Sequence, residues 1–246
     1  MKPTISPVGD CAISIDFGQV IDPKINRHIR QTIERIQALQ LDGIIELVPT
    51  YCALLLQYDA MLYSYSELCN IIEPTLEQTV TDNANELVTV VEIPTVYGGE
   101  FGPDLGFVAS HNNLTEDKVV AIHSGTDYLV YMLGFIPGFT YLGGMDPRIA
   151  TPRLSSPRTL IPAGSVGIAG AQTGTYPSDS PGGWQIIGRT PVTMYDMSKE
   201  QAALLSAGDY VRYVPIDEAE YNRIKALGTN YVPSMYEVEV GELRGY

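Results

Sequence analysis

The sequence predicts an α+β protein in two parts: an N-terminal unit of alternating strands and helices, then a larger unit of short strands. Three observations carry this. Through residues 1–86 the hydrophobic spacing switches between a period of two and a period near 3.6. Residues 94–191 then hold 16 of the 23 glycines and most of the prolines, with little helical periodicity, as a β domain of many turns does. At 246 residues, 45% hydrophobic and 18% charged, the chain has the composition and length for real hydrophobic cores.

The elements follow in order. Cys11 to Phe17 alternates small or apolar with polar residues, as a half-buried strand does. Asp22 offers an N-cap oxygen, and Pro23 suits the first helical turn, where its missing N–H costs nothing. Ile25, Ile29, Ile33, Ile36 and Leu39 then mark a helix, with Arg27, Arg30, Glu34 and Arg35 off the stripe. Gly43 precedes two strands, Ile44 to Val48 and Ala53 to Tyr58. A second helix opens at Ser64 or Ser66 and buries Leu68, Ile71, Ile72 and Leu76, with Pro74 bending or breaking it. Leu87 to Ile93, rich in Val and Thr, reads as a strand. The order β-α-β-β-α-β predicts a ferredoxin-like α/β sandwich over residues 1–86.

In the second domain, residues 87–228, one helix runs from a Thr115 cap through Ile122 with Leu114 and Val119 inward. Tyr128 to Met132 and Val211 to Pro215 are strands, and the Gly/Pro turns between them favour a closed or sandwiched β architecture. Asp217 to Leu227 forms a last helix, capped by Gly228. The tail, residues 229–246, carries an alternating stretch, Tyr236 to Val240, suited to an edge strand.

Absences narrow the function. With 15 basic and 29 acidic residues the net charge is −14, which argues against nucleic acid as a partner. No apolar run is long enough to span a bilayer and the N-terminus lacks a secretion signal, so neither a membrane nor export is expected. Cys11, Cys52 and Cys69 form no Cys-x-x-Cys pair and read as small buried hydrophobes in a reducing, cytoplasmic compartment. There is no Gly-Lys pair for a P-loop, and three scattered histidines make no zinc site, so no metal or cofactor is recognisable in the residues. Gly164-Ser165-Val166-Gly167 resembles a serine-hydrolase elbow but lacks the helix that must follow. Between Lys118 and Lys199 the only cations are Arg148, Arg153, Arg158 and Arg189. An anion bound there must be held by guanidinium groups or backbone N–H. Two loops, Gly134 to Phe139 and Pro181 to Trp184, bracket aromatic rings with glycine. They are either turns of a compact β domain or the walls of a cleft.

Longer blocks carry a resemblance. Tyr97-Gly98-Gly99-Glu100-Phe101-Gly102-Pro103-Asp104-Leu105, His123-Ser124, Tyr131 to Phe139, and Tyr141-Leu142-Gly143-Gly144-Met145-Asp146-Pro147-Arg148 come first. Thr151-Pro152-Arg153, Pro157-Arg158-Thr159, Pro162 to Gly170, Gln172-Thr173-Gly174, Ser180-Pro181-Gly182-Gly183-Trp184 and Ile187 to Pro191 follow. In this order they resemble the family of 5-oxoprolinase B subunits (PxpB), also called the KipI or allophanate-hydrolase-subunit-1 family. The likeness covers nearly the whole chain, from Gly9-Asp10 to Gly208 through Pro215. Ala171 and Thr140 are minor departures from its pattern.

The resemblance implies a cyclophilin-like β-barrel for the second domain. It also implies action with two partner proteins, a larger, KipA-like C subunit and an A subunit, opening the lactam of 5-oxo-L-proline to L-glutamate with ATP as co-substrate. A lactam is a poor electrophile, so phosphorylating its oxygen would make it open to water. Such chemistry needs a proton-transfer group, a carboxylate clamp and donors for the reacting oxygen. His123, the histidine inside a family block, is the candidate acid–base, or else a structural histidine bonded to main chain. Arg153 and Arg158 are the candidate clamps, with Arg189 a third; each could instead pair with a carboxylate. Gln172 and Thr173 could meet the lactam amide, and Trp184 could wall the pocket or plug the barrel. A site shared with the C subunit, leaving the lone chain inactive, is the favoured reading. The rivals are a non-catalytic, KipI-like inhibitor of a sensor histidine kinase and a part of a urea-carboxylase-type enzyme.

Overall fold

The computed structural model describes residues 3–76 and 86–245. The chain divides into two compact units, residues 1–83 and 84–246.

In the first unit the strands are β1 (Thr4–Val8), β2 (Ala12–Asp16), β3 (Ile44–Pro49) and β4 (Ala53–Tyr58), and the helices are α1 (Pro23–Ala38) and α2 (Tyr65–Leu76). The sheet order is β1-β2-β4-β3, antiparallel throughout. Alternation puts Ile13 and Ile15 of β2 opposite Leu56 and Leu54 of β4, all four fully buried with Ile29, Ile36, Leu68 and Ile72 of the helices. Both helix starts are capped as their residues dictate. The Asp22 carboxylate accepts from the Lys24 N–H at 2.7 Å. The Glu67 carboxylate accepts from the Ser64 N–H at 2.9 Å, and the Ser64 hydroxyl accepts from the Glu67 N–H at 3.3 Å, a reciprocal capping box.

The topology departs from the expected one at both ends. Strand β5 (Leu87–Tyr97) was expected to close this sheet but pairs within the second unit instead. The edge beside β2 is taken by β1, which the short, proline-bearing run Thr4-Ile5-Ser6-Pro7-Val8 did not announce. Pro74 lies inside α2 without breaking it. Asn26 and Arg27, off the apolar stripe, are nonetheless buried. Cys11 is exposed while Cys52 and Cys69 are half-buried, so none is the buried hydrophobe expected.

The second unit contains β6 (Asp127–Leu133), β7 (Thr140–Gly143), β8 (Arg158–Ile161), β9 (Ser165–Ala169), β10 (Gln172–Thr175), β11 (Ser180–Gly182), β12 (Gln185–Arg189), β13 (Tyr210–Pro215) and β14 (Met235–Glu239). Its helices are α3 (Leu105–His111), α4 (Glu116–Ser124) and α5 (Glu218–Leu227); α3 had no visible sequence signal. The main sheet runs β10-β9-β12-β5-β13-β6-β7 with β14 added on β5. It curls until β10 and β7 lie side by side, so that a Cβ on Gly174 of β10 would stand 3.3 Å from the Thr140 carbonyl of β7. The result is a nearly closed barrel. β5 is its spine: it is parallel to β13 and antiparallel to both β12 and β14. The core joins Val91, Ile93, Val130, Val166, Ile168 and Ile187 of the barrel to Val108, Val119 and Ile122 of α3 and α4. A smaller apolar cluster, Phe139, Ile161, Ala169, Tyr176, Trp184 and Ile186, stands apart from it. Residues 229–246 belong to this unit, and Glu92 and Tyr236 share a hydrogen bond of 3.1 Å where β14 crosses β5.

Candidate functional site

Strand β10 separates two environments, because successive side chains on a strand point to opposite faces. Thr173 and Thr175 point into the barrel, where the Thr175 hydroxyl lies 2.9 Å from that of Tyr213. Gln172, Gly174 and, just beyond the strand, Tyr176 share the other face, and Gln172 and Tyr176 line a recess of about 290 Å³.

On the inward face, His123 of α4 is completely buried. Thr173 Oγ1 donates to the Gly167 carbonyl at 3.0 Å, so at 2.8 Å it accepts from His123 Nε2–H. Nδ1 is then the acceptor for the Tyr97 hydroxyl at 2.8 Å. The imidazole packs against the rings of Tyr128 and Tyr213, and this burial drives its pKa from 6.5 down to about 3. His123 is therefore neutral, with both ring nitrogens engaged by side chains and no face open to solvent. The ring's partners are the Tyr97 and Thr173 side chains, not the main chain.

The recess is walled by Phe135, Phe139, Tyr141, Tyr176 and Trp184, with Arg153, Gln172 and the Pro181-Gly182-Gly183 turn completing it. Phe139 is the hub: its ring meets Phe135, Tyr141, Tyr176 and Trp184 edge-on at 5.4–5.7 Å between centroids. Gly174 makes room for this, since a Cβ there would lie 3.4 Å from the Trp184 ring and 3.5 Å from that of Phe139. Burial raises the Tyr176 phenol to about 12, so it is a hydrogen-bonding group and not a base at neutral pH. Phe135 is held in the left-handed region, φ 69°. Its loop is cinched by Gly134 N–H to the Phe139 carbonyl (3.1 Å) and Ile136 N–H to the Gly134 carbonyl (2.9 Å). For a bulky residue that backbone costs about 1–3 kcal/mol, yet the residue is 66% exposed.

Of the residues singled out from sequence, the recess gathers Arg153, Gln172 and Trp184. It does not gather the others. Thr173 faces inward to His123. Arg158 is spent on Asp104, donating to its two oxygens at 2.9 and 2.7 Å, while the same carboxylate accepts from the Ile186 N–H at 2.6 Å. This pair pins the β8–β11 ribbon to the start of α3. Arg189 lies over the Phe101 ring at 5.8 Å and within bonding reach of Tyr221. Arg148 grips Asp146. Arg153 is thus the one of the four arginines with neither an ion pair nor a ring stacked on it among the described residues.

Sequence reasoning missed Tyr141 and Tyr176 as wall residues. The signal was the alternation itself: Gln172, Gly174 and Tyr176 fall on one face once β10 is placed. Most of the lining is side-chain rings, with the Pro181-Gly182-Gly183 turn and Arg153 beside them. Ser165, of the discarded elbow, is fully buried in β9. Among the described residues no group of three His, Cys, Asp or Glu side chains could hold a metal ion, and no helix is long and apolar enough to cross a membrane.

The chain matches the family described as carboxyltransferase domain, subdomain C and D, over residues 3–205. It is 44% identical over 231 residues to the B subunit of 5-oxoprolinase from Bacillus subtilis (strain 168), covering 90% of this chain and 96% of that one. The crystal structure of TTHA0988 matches 84% of this chain with a TM-score of 0.73 and 36% identity, and the chain spans 40% of that protein's length. The urea amidolyase of K. lactis matches 96% of the chain with a TM-score of 0.78; at 21% identity and 16% of its length, it shows the fold alone.

Proposed function

Because the chain belongs to the family of 5-oxoprolinase B subunits, within the carboxyltransferase subdomain C and D group, we propose that it is the B subunit of a cytoplasmic, ATP-dependent 5-oxoprolinase. The complex would hydrolyse 5-oxo-L-proline to L-glutamate together with an A subunit and a KipA-like C subunit. The single observation that carries the reading is the 44% identity along 96% of a protein named as the 5-oxoprolinase B subunit. In this reading the barrel is cyclophilin-like and the active site is shared with the C subunit.

The chemistry of the residues supports a shared site. ATP-driven lactam opening needs groups that accept and deliver protons. The recess offers rings, one guanidinium, the Gln172 carboxamide and the hydroxyls of Tyr141 and Tyr176, with no carboxylate or histidine among its lining residues. His123 is sealed behind β10, where it positions Thr173. In this reading a partner brings the acid–base groups and the phosphate-binding elements. The test is reconstitution with the A and C subunits: 5-oxoproline-dependent ATP hydrolysis by the three together and none by this chain alone. Turnover by the isolated chain would defeat the shared site. A complete complex that leaves 5-oxoproline untouched would defeat the reading and return attention to kinase inhibition.

A further inference from the structure

Arg153 and Phe135 give the fold little: Arg153 is exposed, and Phe135, though its ring meets that of Phe139, lies mostly in solvent. Arg153 stands at the aromatic recess without an ion-pair or hydrogen-bond partner among the described residues, whereas the Arg148 and Arg158 guanidinium groups close on carboxylates. Phe135 holds a left-handed backbone with most of the residue in solvent, so folding gains little from the strain, and such outliers concentrate at ligand clamps. Both residues border the same cavity of about 290 Å³, whose floor is the edge-to-face cluster around Phe139. An aromatic-walled cavity with a few polar groups and a single charge at its edge takes a small, flat ring bearing one anionic group.

Building on the oxoprolinase reading above, we propose that the recess holds the lactam acid itself, with the five-membered ring against the Phe139, Tyr176 and Trp184 wall. The carboxylate rests on the Arg153 guanidinium, and Phe135 covers the mouth. The same architecture sorts substrate from product. 5-Oxoproline brings one charge, which Arg153 meets. Glutamate brings a second carboxylate and an ammonium into surroundings that hold no second cation and no acid among the lining residues, and unpaired charges are costly to desolvate. The recess therefore releases what the reaction makes.

Trp184, the only tryptophan of the chain, lines this recess, so intrinsic fluorescence reads occupancy directly. Titration with 5-oxo-L-proline is expected to give a saturable change, at least tenfold weaker with L-glutamate and with 2-pyrrolidinone, which lacks the carboxylate. Arg153→Met is expected to weaken binding at least tenfold and Arg153→Lys less. Phe135→Gly relieves the backbone strain, so it is expected to weaken binding while the melting temperature holds or rises; a structural Phe135 would give the opposite pair. In the reconstituted complex Arg153→Met is expected to raise KM for 5-oxoproline tenfold and leave KM for ATP unchanged. A working complex whose KM is unmoved by both Arg153→Met and Phe135→Gly overturns the recess assignment and leaves the oxoprolinase reading standing. A saturable fluorescence change with 5-oxoproline, joined to a complete complex that does not hydrolyse it, supports the recess and overturns the reading.

Discussion

His123 on α4 and Thr173 on β10 are joined by a 2.8 Å hydrogen bond through the barrel interior, and the neighbouring residue on β10, Gln172, lines the recess. The histidine thus sets the position of the wall from behind.

Acid should expose this arrangement. His123 titrates near 3 when folded and near 6.5 when unfolded, so between those values the unfolded chain binds more protons and stability falls as pH drops. The slope from this one group is at most about 1.4 kcal/mol per pH unit. Urea unfolding of the wild type should lose stability from pH 6.5 to 5, where most carboxylates are still ionised, and His123→Asn should flatten that segment. An unchanged slope in the variant would mean that the histidine is not sealed.

A second expectation follows from Asp104, which accepts from both the Arg158 guanidinium and the Ile186 N–H. Asp104→Ala leaves two donors without a partner, and a loss of about 3 kcal/mol is expected. Arg158→Ala removes a group one-third exposed and should cost less, about 1–2 kcal/mol. A double-mutant cycle by denaturant melts checks the order; equal losses would show that the Ile186 N–H contributes nothing.

The Asp127 carboxylate is fully buried and Arg212 nearly so. Asp127 accepts from two guanidinium nitrogens at 2.6 Å and from the Arg244 N–H at 2.8 Å, while Arg212 also donates to the Tyr236 hydroxyl. Arg212→Met strands that carboxylate, and a loss of about 3–5 kcal/mol is expected. Hydrogen exchange should show β14 loosening first; a protected β14 in the variant would refute the link between the pair and the tail.

Two glycines make a controlled comparison. A Cβ at Gly102 would sit 2.0 Å from the Ile187 carbonyl oxygen, whereas Gly170 has φ 60° and nothing within 4 Å. Gly102→Ala should cost about 3 kcal/mol or more, because backbone must move. Gly170→Ala should cost only the left-handed backbone preference, about 1 kcal/mol. Thermal melts of both decide it.

Much of this molecule was readable in its residues, where the information is local. Asp22 with Pro23, Thr115 and Asp217 announced helix starts that the structure keeps, and the glycine-bracketed aromatic loops do become the walls of a recess. The partition of β5 was not readable. Its Val-rich pattern says strand, but its partners lie about a hundred residues or more downstream in β12 and β13, and periodicity carries no address. The roles of the arginines were equally hidden, since Arg153 and Arg158 look alike until Asp104 is found beside one of them. The burial of His123 was hidden for the same reason: a histidine in a sequence does not reveal whether water can reach it.

The two units differ in when they can be completed during synthesis. Every strand of the first is present once residue 58 has emerged, so its sheet can assemble while the ribosome is still translating. The spine β5 is made early, yet its parallel neighbour ends at Pro215 and its last neighbour at Glu239. At roughly 5–20 residues per second, β5 waits several seconds or more with apolar backbone unpaired. Chaperone demand and aggregation during expression should therefore trace to Leu87–Tyr97, a liability absent from the finished molecule.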